Sequence, residues 1–355
     1  MTLNQLLTHA QQHSASDLHL YTGKRPIVRV GGRLKEIEGQ DILTPGVVQD
    51  LAYSILTPMQ REFFDEGKEL DVSHEIEGVG RFRINLMWEK NSVGLIARLI
   101  PVEIPTMDDL HIPEVAKNFI NMKSGLVLVT GPAGCGKSTT LASMIDAINT
   151  NRGENIITLE DPIEFLFTPK QSIIRQRQLG QDMRSFSESL KYVLRQDPNV
   201  IMVGEMRDLE TIAATITLAE TGHLVFATLH TFSAAETISR IVDVFPPSQQ
   251  TQIRLQLAAT LKGVISQRLV VTENDQRIAV REVLLNTPAI STLIRENKLQ
   301  QIETVLQTNG GKGMCTMDNS VKELYKKGII SYDEALSYMV HPDTLKNVEQ
   351  DQDEA

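Results

Sequence analysis

Residues 125–138 have the sequence GLVLVTGPAGCGKS, and this stretch decides the fold of the second part of the chain. Its first six residues form an apolar run typical of a strand buried in a parallel sheet. The last eight, Gly131 to Ser138, match the GxxxxGK[ST] phosphate-binding loop, and the run STTLASMIDAIN predicts a helix after it. A strand, this loop and a helix in that order predict a binding site for a nucleoside triphosphate.

The residue types of this loop explain how it binds phosphate. Glycines permit backbone angles that let several N–H groups converge on phosphate oxygens at the helix N-terminus. Lys137 is expected to reach the β- and γ-phosphates, and the Ser138 hydroxyl is the predicted ligand of Mg²⁺. We therefore expect ATP and Mg²⁺ as cofactors. The predicted nucleotide contacts are Gly131, Pro132, Ala133, Gly134, Cys135, Gly136, Lys137, Ser138 and Thr139.

Three further apolar runs alternate with predicted helices after the loop. They are NIITLE (155–160), NVIMVGE (199–205) and HLVFATLH (223–230). Such alternation predicts an α/β fold with a parallel sheet covered on both faces. After residue 245 the pattern is mainly helical through Val340, with a short strand pair around Arg268 to Val283. Because α/β sheets gather function at the carboxyl ends of their strands, the residues that end these runs are candidates for catalysis.

Three residues at or just beyond these strand ends are candidate catalytic groups. Glu205 is expected to orient or deprotonate the attacking water, the alternative being a solvent-facing acid. Glu164 is ranked above Glu160 and Asp161 as a group that supports the metal shell or the water, and Asp161 is equally consistent with a turn. His230 is expected to hydrogen-bond the γ-phosphate, although a histidine on an apolar strand is more often a satisfied core group.

The first hundred residues predict a smaller α+β domain. An opening helix is followed by strand candidates, with a helical stretch between the second and the third. These elements are Leu3 to Gln12, then Asp17 to Tyr21, Ile27 to Val30, Pro45 to Glu66, Arg81 to Leu86 and Val93 to Leu99. Arg83 and Arg98 lie within strands, where an arginine is more often a surface residue than a group that meets phosphate charge.

Composition limits both the domain plan and the function. The segment 101–113 carries three prolines and predicts an extended linker, so we expect domains at 1–100 and 114–345 and an acidic tail at 346–355. The net charge of −10 argues against nucleic acid as a partner. The 355 residues contain no signal peptide and no apolar run of about 18 residues, so we expect no transmembrane segment and a cytoplasmic location.

Four ordered segments together resemble the Walker A, Asp, Walker B and His boxes of the secretion ATPase superfamily. The segments are GPAGCGKST, ITLEDPIEF, DPNVIMVGEMRDLETI and TGHLVFATLHTFSA. SDLHL (16–20), GRFRIN (80–85) and the region after RIVDVFP extend the likeness to the type IV pilus retraction branch over nearly the whole chain. The resemblance implies a RecA-like ATPase domain preceded by a PAS-like domain. It also implies a homohexamer that couples ATP hydrolysis to pilus retraction and twitching motility, at an inner-membrane platform protein.

The same resemblance assigns roles to single residues. It makes Glu205 the catalytic carboxylate, supports Glu164 and His230, and implies that Arg83 and Arg98 contact phosphate. Retraction members carry an arginine where this chain has Ser291, in AISTLIRE (289–296), so an accessory retraction ATPase or an assembly ATPase stays an alternative. Assembly members usually carry a four-cysteine zinc insertion, whereas this chain has two cysteines.

Two other classes of protein are alternatives to a pilus motor. A nucleic-acid translocase is disfavoured by the acidic charge and by the 5% of aromatic residues. A scaffold that binds ATP without turnover is disfavoured by the intact Lys137, Ser138 and Glu205.

Cys135 stands where the loop commonly has serine, and a thiol at a helix N-terminus tends toward the thiolate. We therefore hypothesise that oxidation of Cys135 blocks phosphate binding.

Overall fold

A computed structural model describes residues 1–100 and 103–345 of the chain. The predicted acidic tail, 346–355, lies outside the described residues. The chain divides into two compact units, one ending at Glu103 and the other beginning at Ile104.

The first unit is built on a six-stranded antiparallel sheet with the strand order β3-β2-β1-β6-β5-β4. Its strands are β1 (Asp17–Leu20), β2 (Ile27–Val30), β3 (Arg33–Glu36), β4 (Glu69–Ile76), β5 (Gly80–Glu89) and β6 (Ser92–Ile100). The core lies between this sheet and three helices, α1 (Leu3–Gln12), α2 (Pro45–Tyr53) and α3 (Pro58–Gly67). Residues such as Leu7, Val48 and Phe64 are completely buried there.

Two predictions for this unit need correction. The single helix expected from Pro45 to Glu66 is two helices, because Thr57 caps a new helix whose first residue is Pro58. Strands β3 and β4 were not predicted. Every residue of β3 is exposed, so the sequence RLKE carries no alternation of apolar and polar residues.

The second unit contains a seven-stranded sheet with the order β13-β12-β7-β11-β10-β8-β9. Six strands are parallel, and β13 pairs antiparallel with β12 at one edge. The strands are β7 (Gly125–Thr130), β8 (Asn155–Glu160), β9 (Ile173–Gln178), β10 (Val200–Val203), β11 (Leu224–Leu229), β12 (Leu261–Val271) and β13 (Arg277–Leu285). The predicted strand at 125–130 and the parallel α/β sheet are confirmed.

Helices cover this sheet on both faces and so bury β7, β10 and β11 along their whole length. They are α4 (Glu114–Lys117), α5 (Lys137–Asn151), α6 (Phe186–Val193), α7 (Leu209–Glu220), α8 (Ala234–Asp243), α9 (Pro247–Thr260), α10 (Pro288–Arg295), α11 (Ile302–Thr308), α12 (Met317–Lys326) and α13 (Tyr332–Tyr338). None of the helices in the described residues has the length and apolar character needed to cross a bilayer.

The predicted linker and the predicted strand pair also differ from the structure. Residues from Ile104 onward belong to the second unit, and Ile112 is buried in its core, so the described part of segment 101–113 is not an extended linker. Pro105 and Pro113 belong to this packed segment instead. The strand pair begins at Leu261, seven residues before Arg268, because the apolar sequence from Leu261 is buried on both faces of β12.

Candidate functional site

The strand order brings the four sequence boxes to one edge of the sheet. The parallel strands β7, β11, β10 and β8 are neighbours in that order, so their carboxyl ends lie side by side. The phosphate-binding loop follows β7, His230 follows β11, Glu205 follows β10, and Glu160 ends β8. The strand of His230 therefore lies between the strands of the loop and of Glu205.

The loop has the backbone shape that phosphate binding requires. The φ values of Gly131, Gly134 and Gly136 are +143°, +74° and +86°. Residues other than glycine rarely adopt such backbone angles. A Cβ atom on Gly131 would lie 2.2 Å from the backbone oxygen of Gln267. Helix α5 then begins at Lys137, so its free N–H groups face the loop.

Gln267 on β12 supports the loop, and sequence analysis missed it. Its Nε2 donates to the Cys135 carbonyl over 2.7 Å, and its Oε1 accepts from the Thr140 hydroxyl over 2.9 Å. The side chain is almost completely buried. A glutamine 132 residues beyond Cys135 gives no signal in a single sequence, because only the pairing of β12 with β7 brings the two together.

Lys137 lies within the loop and is 9% exposed. Its Nζ donates to the carbonyls of Gly131 and Pro132 over 2.7 and 3.0 Å, and it lies 3.4 Å from Nδ1 of His230. Burial lowers the pKa of Lys137, and the negative charges of nearby carboxylates oppose this shift. The ammonium group is thus held by neutral carbonyl oxygens, which charged phosphate oxygens can replace.

Glu205 has both carboxylate oxygens occupied. Oε1 lies 3.0 Å from Nε2 of His230, and Oε2 accepts from Arg207 over 2.7 Å. Burial by itself would raise the pKa of Glu205, but the hydrogen bonds from Arg207 and His230 outweigh it and lower the pKa. The carboxylate is therefore ionised at neutral pH, as a residue that accepts a proton from water must be.

His230 connects the loop with the catalytic candidate. Lys137 can only donate and the Glu205 carboxylate can only accept, so His230 accepts at Nδ1 and donates from Nε2. Lys137, His230, Glu205 and Arg207 form one hydrogen-bonded line along the edge of the sheet.

Arg207 is a second residue that sequence analysis did not single out. It lies in GEMRD, two residues after Glu205, where a charged residue is usually solvated. Gly204, just before Glu205, packs against the neighbouring strand, since a Cβ there would lie 3.0 Å from the Leu159 carbonyl. The backbones at the ends of β10 and β8 therefore lie in close contact at Gly204.

Three acidic residues lie at or just after the end of β8, and they differ in burial. Glu160 is buried and accepts from the Thr158 hydroxyl over 2.6 Å and from Gln176 over 3.1 Å. Asp161 and Glu164 are exposed. The charge of Glu164 acts on Lys137 through space, so Glu164 belongs to the same electrostatic field. Asp161 precedes Pro162 through a cis peptide bond, in the turn that the sequence allowed.

Glu160 should make stability depend on pH. Burial raises its pKa to about 7, above that of an exposed glutamate. Its contribution to stability is therefore complete below the unfolded pKa and is lost as pH rises through about 7. We expect Glu160→Gln to match the wild type near pH 5 and to be more stable by about 1–3 kcal/mol near pH 8. Urea unfolding at both pH values measures this, with the exposed Glu188→Gln as control. A constant difference between the two pH values would contradict it.

The donor set near Ser138 suits Mg²⁺. The Ser138 hydroxyl lies in the first turn of α5, beside Lys137. Across residues 1–100 and 103–345 no group of three or more His, Cys, Asp or Glu side chains is arranged to hold a metal. Mg²⁺ usually takes one or two protein ligands and completes its shell with water and substrate phosphates. The residues present therefore fit this ion.

The hypothesis of a reactive Cys135 is wrong in its chemical basis. The side chain is 4% exposed, and burial raises the pKa of the Cys135 thiol despite the nearby charge of Lys137. A buried thiol with a raised pKa reacts slowly with oxidants because the thiolate is the reactive form. Cys135 is a small buried residue of the loop.

Arg83 and Arg98 lie opposite each other on β5 and β6 of the first unit. Arg98 Nε donates to the buried Asp17 over 2.8 Å, and Arg83 lies 3.7 Å from Asp71. The Arg98 side chain is 70% exposed, so its remaining donors face solvent. Both arginines are presented together on one surface of that unit.

A cavity of about 630 Å³ lies beside the loop, within the range of small-molecule sites. It is bounded by Gly136, Thr139 and Thr140 on one side and by the turn between β12 and β13 on the other. A second cavity of about 420 Å³ contains Glu205, Arg207 and His230. The first cavity therefore lies next to the end of the loop from which α5 begins. The second lies next to the Glu205 carboxylate.

A family model described as type II/IV secretion system protein matches residues 1–337. The chain belongs to this family. Together with the phosphate-binding loop, this makes it a P-loop ATPase of the secretion family.

Several known pilus ATPases resemble it over most of their length. The type IV pilus retraction ATPase PilT of Pseudomonas aeruginosa is 46% identical over 94% of this chain and 97% of its own. The type IV pilus ATPase PilU of the same organism is 37% identical over 95% and 88%. A crystal structure of the pilus retraction motor PilT with bound ADP has a TM-score of 0.92 at 43% identity, covering 98% of this chain and 99% of that one.

Proposed function

We propose that this chain hydrolyses ATP as a subunit of a homohexameric motor that retracts a type IV pilus and so drives twitching motility. One observation carries the hydrolysis: His230 contacts both the loop lysine, Lys137, and the carboxylate Glu205. A triphosphate held by the loop then has its terminal phosphate beside a carboxylate able to act on water. The likeness to a pilus retraction ATPase supports the choice of filament.

The site residues divide the work of hydrolysis. Lys137 releases the Gly131 and Pro132 carbonyls and binds the β- and γ-phosphates, where its charge offsets the negative charge of the transferred group. Glu205 orients the attacking water and accepts its proton. His230 keeps Glu205 aligned through Nε2, and its proposed hydrogen bond to the γ-phosphate requires Nδ1 to act as a donor there. Arg83 and Arg98 are retained as proposed phosphate contacts, on the resemblance alone.

Mg²⁺, held by the Ser138 hydroxyl, would neutralise charge on the β- and γ-phosphate oxygens when bound. The charge of Glu164 acts on Lys137, which supports a role for Glu164 in the water shell of that ion. The remaining loop residues act through their backbone N–H groups, except Pro132, which has none. The nucleoside part of ATP would occupy the 630 Å³ cavity beside Thr139.

The ring, the membrane partner and the location rest on the likeness to pilus motors. We propose that six copies assemble and act in the cytoplasm on an inner-membrane platform protein. The absence of a spanning helix in the described residues is consistent with peripheral attachment. The hydroxyl of Ser291, where retraction members have arginine, lies 2.9 Å from Asn286 Oδ1 and 3.1 Å from the Ala258 carbonyl, and its one proton can be donated to either. Ser291 therefore connects α10 to α9. A serine can make this connection without the arginine found in retraction members.

An accessory retraction ATPase is the second candidate. The identity to PilU is 37%, against 46% to PilT, which favours the retraction motor itself. Deletion of the gene separates the possibilities. A retraction motor predicts cells with excess pili that do not retract, restored by the wild-type gene and not by Glu205→Gln. Loss of pili would indicate assembly, and normal retraction would indicate an accessory role.

A further inference from the structure

Glu282 on β13 is a buried carboxylate that the hydrolysis described above does not use. Its side chain is 8% exposed, and it lies on the strand at the edge of the sheet, beyond β12. Burial raises its pKa, while hydrogen bonds from backbone N–H groups oppose the shift. A carboxyl group is costly to bury unless its oxygens are hydrogen-bonded, so its partners indicate what it does.

The partners of Glu282 are the first residues of two helices. Oε1 accepts from the Ala234 N–H over 2.8 Å, at the start of α8. The Met317 N–H, at the start of α12, also lies close enough to the carboxylate to lower its pKa. N–H groups in a first helical turn have no partner within the helix and carry partial positive charge, so one carboxylate satisfies and attracts both ends.

The start of α12 is fastened to β13 on both sides of Glu282. Val283 and Cys315 exchange backbone hydrogen bonds of 2.8 and 3.2 Å. On the other side the Arg281 N–H donates to the Ser320 hydroxyl over 3.1 Å. These hydrogen bonds therefore hold the first turn of α12 against the strand that carries the carboxylate.

The start of α8 in turn holds the segment that carries His230. The Thr231 hydroxyl lies 2.7 Å from that of Thr237, and the Phe232 N–H donates to Glu236 over 2.8 Å. Ala234 follows His230 by four residues. A shift of the first turn of α8 would carry His230 with it and misalign the contact of 3.0 Å with Glu205.

We propose that Glu282 is a positioning residue that joins the C-terminal helices to the catalytic histidine. It fixes the first turn of α8 against α12, and so sets the place of His230 relative to Glu205. This inference rests on the proposed ATP hydrolysis for its kinetic consequence, but the link between the two helices is independent of it.

Glu282→Gln tests the link because glutamine keeps the size and offers one acceptor oxygen for two N–H donors. Asp318→Asn is the matched control, since Asp318 is equally buried and accepts from Val340 over 2.7 Å and from His341 over 2.9 Å. We expect kcat for ATP to fall about 10- to 100-fold in Glu282→Gln, as expected when a distant change misplaces a reacting group. We expect KM to change less than about threefold in that variant, and kcat in Asp318→Asn to stay within about twofold.

Hydrogen exchange of the folded protein gives a readout that does not need activity. Peptides covering 230–237 should exchange faster in Glu282→Gln and at the wild-type rate in Asp318→Asn. Equal loss of kcat in both variants, or unchanged exchange at 230–237 in Glu282→Gln, would overturn the proposal. If Glu282→Gln does not fold, Ala234→Pro removes the N–H that Glu282 accepts, at the first position of α8 where proline is tolerated, and unchanged exchange at 230–237 in that variant overturns the proposal. An unaltered chain without ATPase activity would instead overturn the proposed function and leave the exchange result to decide the link.

Discussion

Replacement of Glu205 by glutamine is expected to slow ATP turnover at least about a hundredfold, because the positioned base is lost. Glutamine fills the same space but cannot accept the proton of the attacking water. The neutral amide also loses the charge that attracts Arg207 and His230, which lie 2.7 and 3.0 Å from the carboxylate. Phosphate release at saturating ATP measures the loss.

ATP binding should survive the same change. The loop, Lys137 and Ser138 are untouched, and Glu205 contacts the loop lysine only through His230. The dissociation constant of Glu205→Gln for ATP, measured by titration with a fluorescent analogue, is expected to stay within about threefold of the wild type, as for a group whose interactions are made only in the transition state. Glu210→Gln is the control, since Glu210 is exposed in the first turn of α7. Turnover near the wild-type rate would remove Glu205 from the catalytic role.

The local features of the site were predictable because each is coded within a few residues. An apolar run predicts strand β7, the glycine spacing predicts the loop, and the helical pattern after it predicts the start of α5. These three signals lie in adjacent segments. The ends of β8, β10 and β11 likewise place Glu160, Glu205 and His230 at the same edge of a parallel sheet. That much follows from general rules on α/β sheets.

The contacts between those features were not predictable, because they depend on strand order. Nothing in a single sequence places β11 between β7 and β10, and this order makes His230 the connection between Lys137 and Glu205. Gln267 reaches the loop only because β12 pairs with β7. The polar strand β3 was missed for the opposite reason, since its exposed residues carry no periodic signal.

Replacement of Lys137 by alanine should abolish nucleotide binding rather than turnover alone. The ammonium is 9% exposed and is held by the carbonyls of Gly131 and Pro132, so phosphate oxygens can replace these partners without rearrangement of the loop. Charge-assisted hydrogen bonds are worth about 1.5–3 kcal/mol each, and a lysine can make more than one to the triphosphate. The dissociation constant for ATP is therefore expected to rise at least about a hundredfold, at about 1.4 kcal/mol per factor of ten.

Two further variants make this result specific. Lys137→Arg keeps the charge but brings a larger planar group into a buried position, so binding should also weaken. Lys123→Ala removes an exposed lysine just before β7 and should leave the ATP affinity unchanged. Near-normal affinity in Lys137→Ala would place the triphosphate elsewhere in the molecule. Lost binding in Lys137→Ala and retained binding in Glu205→Gln would together separate the residue that holds the phosphate from the residue that cleaves it.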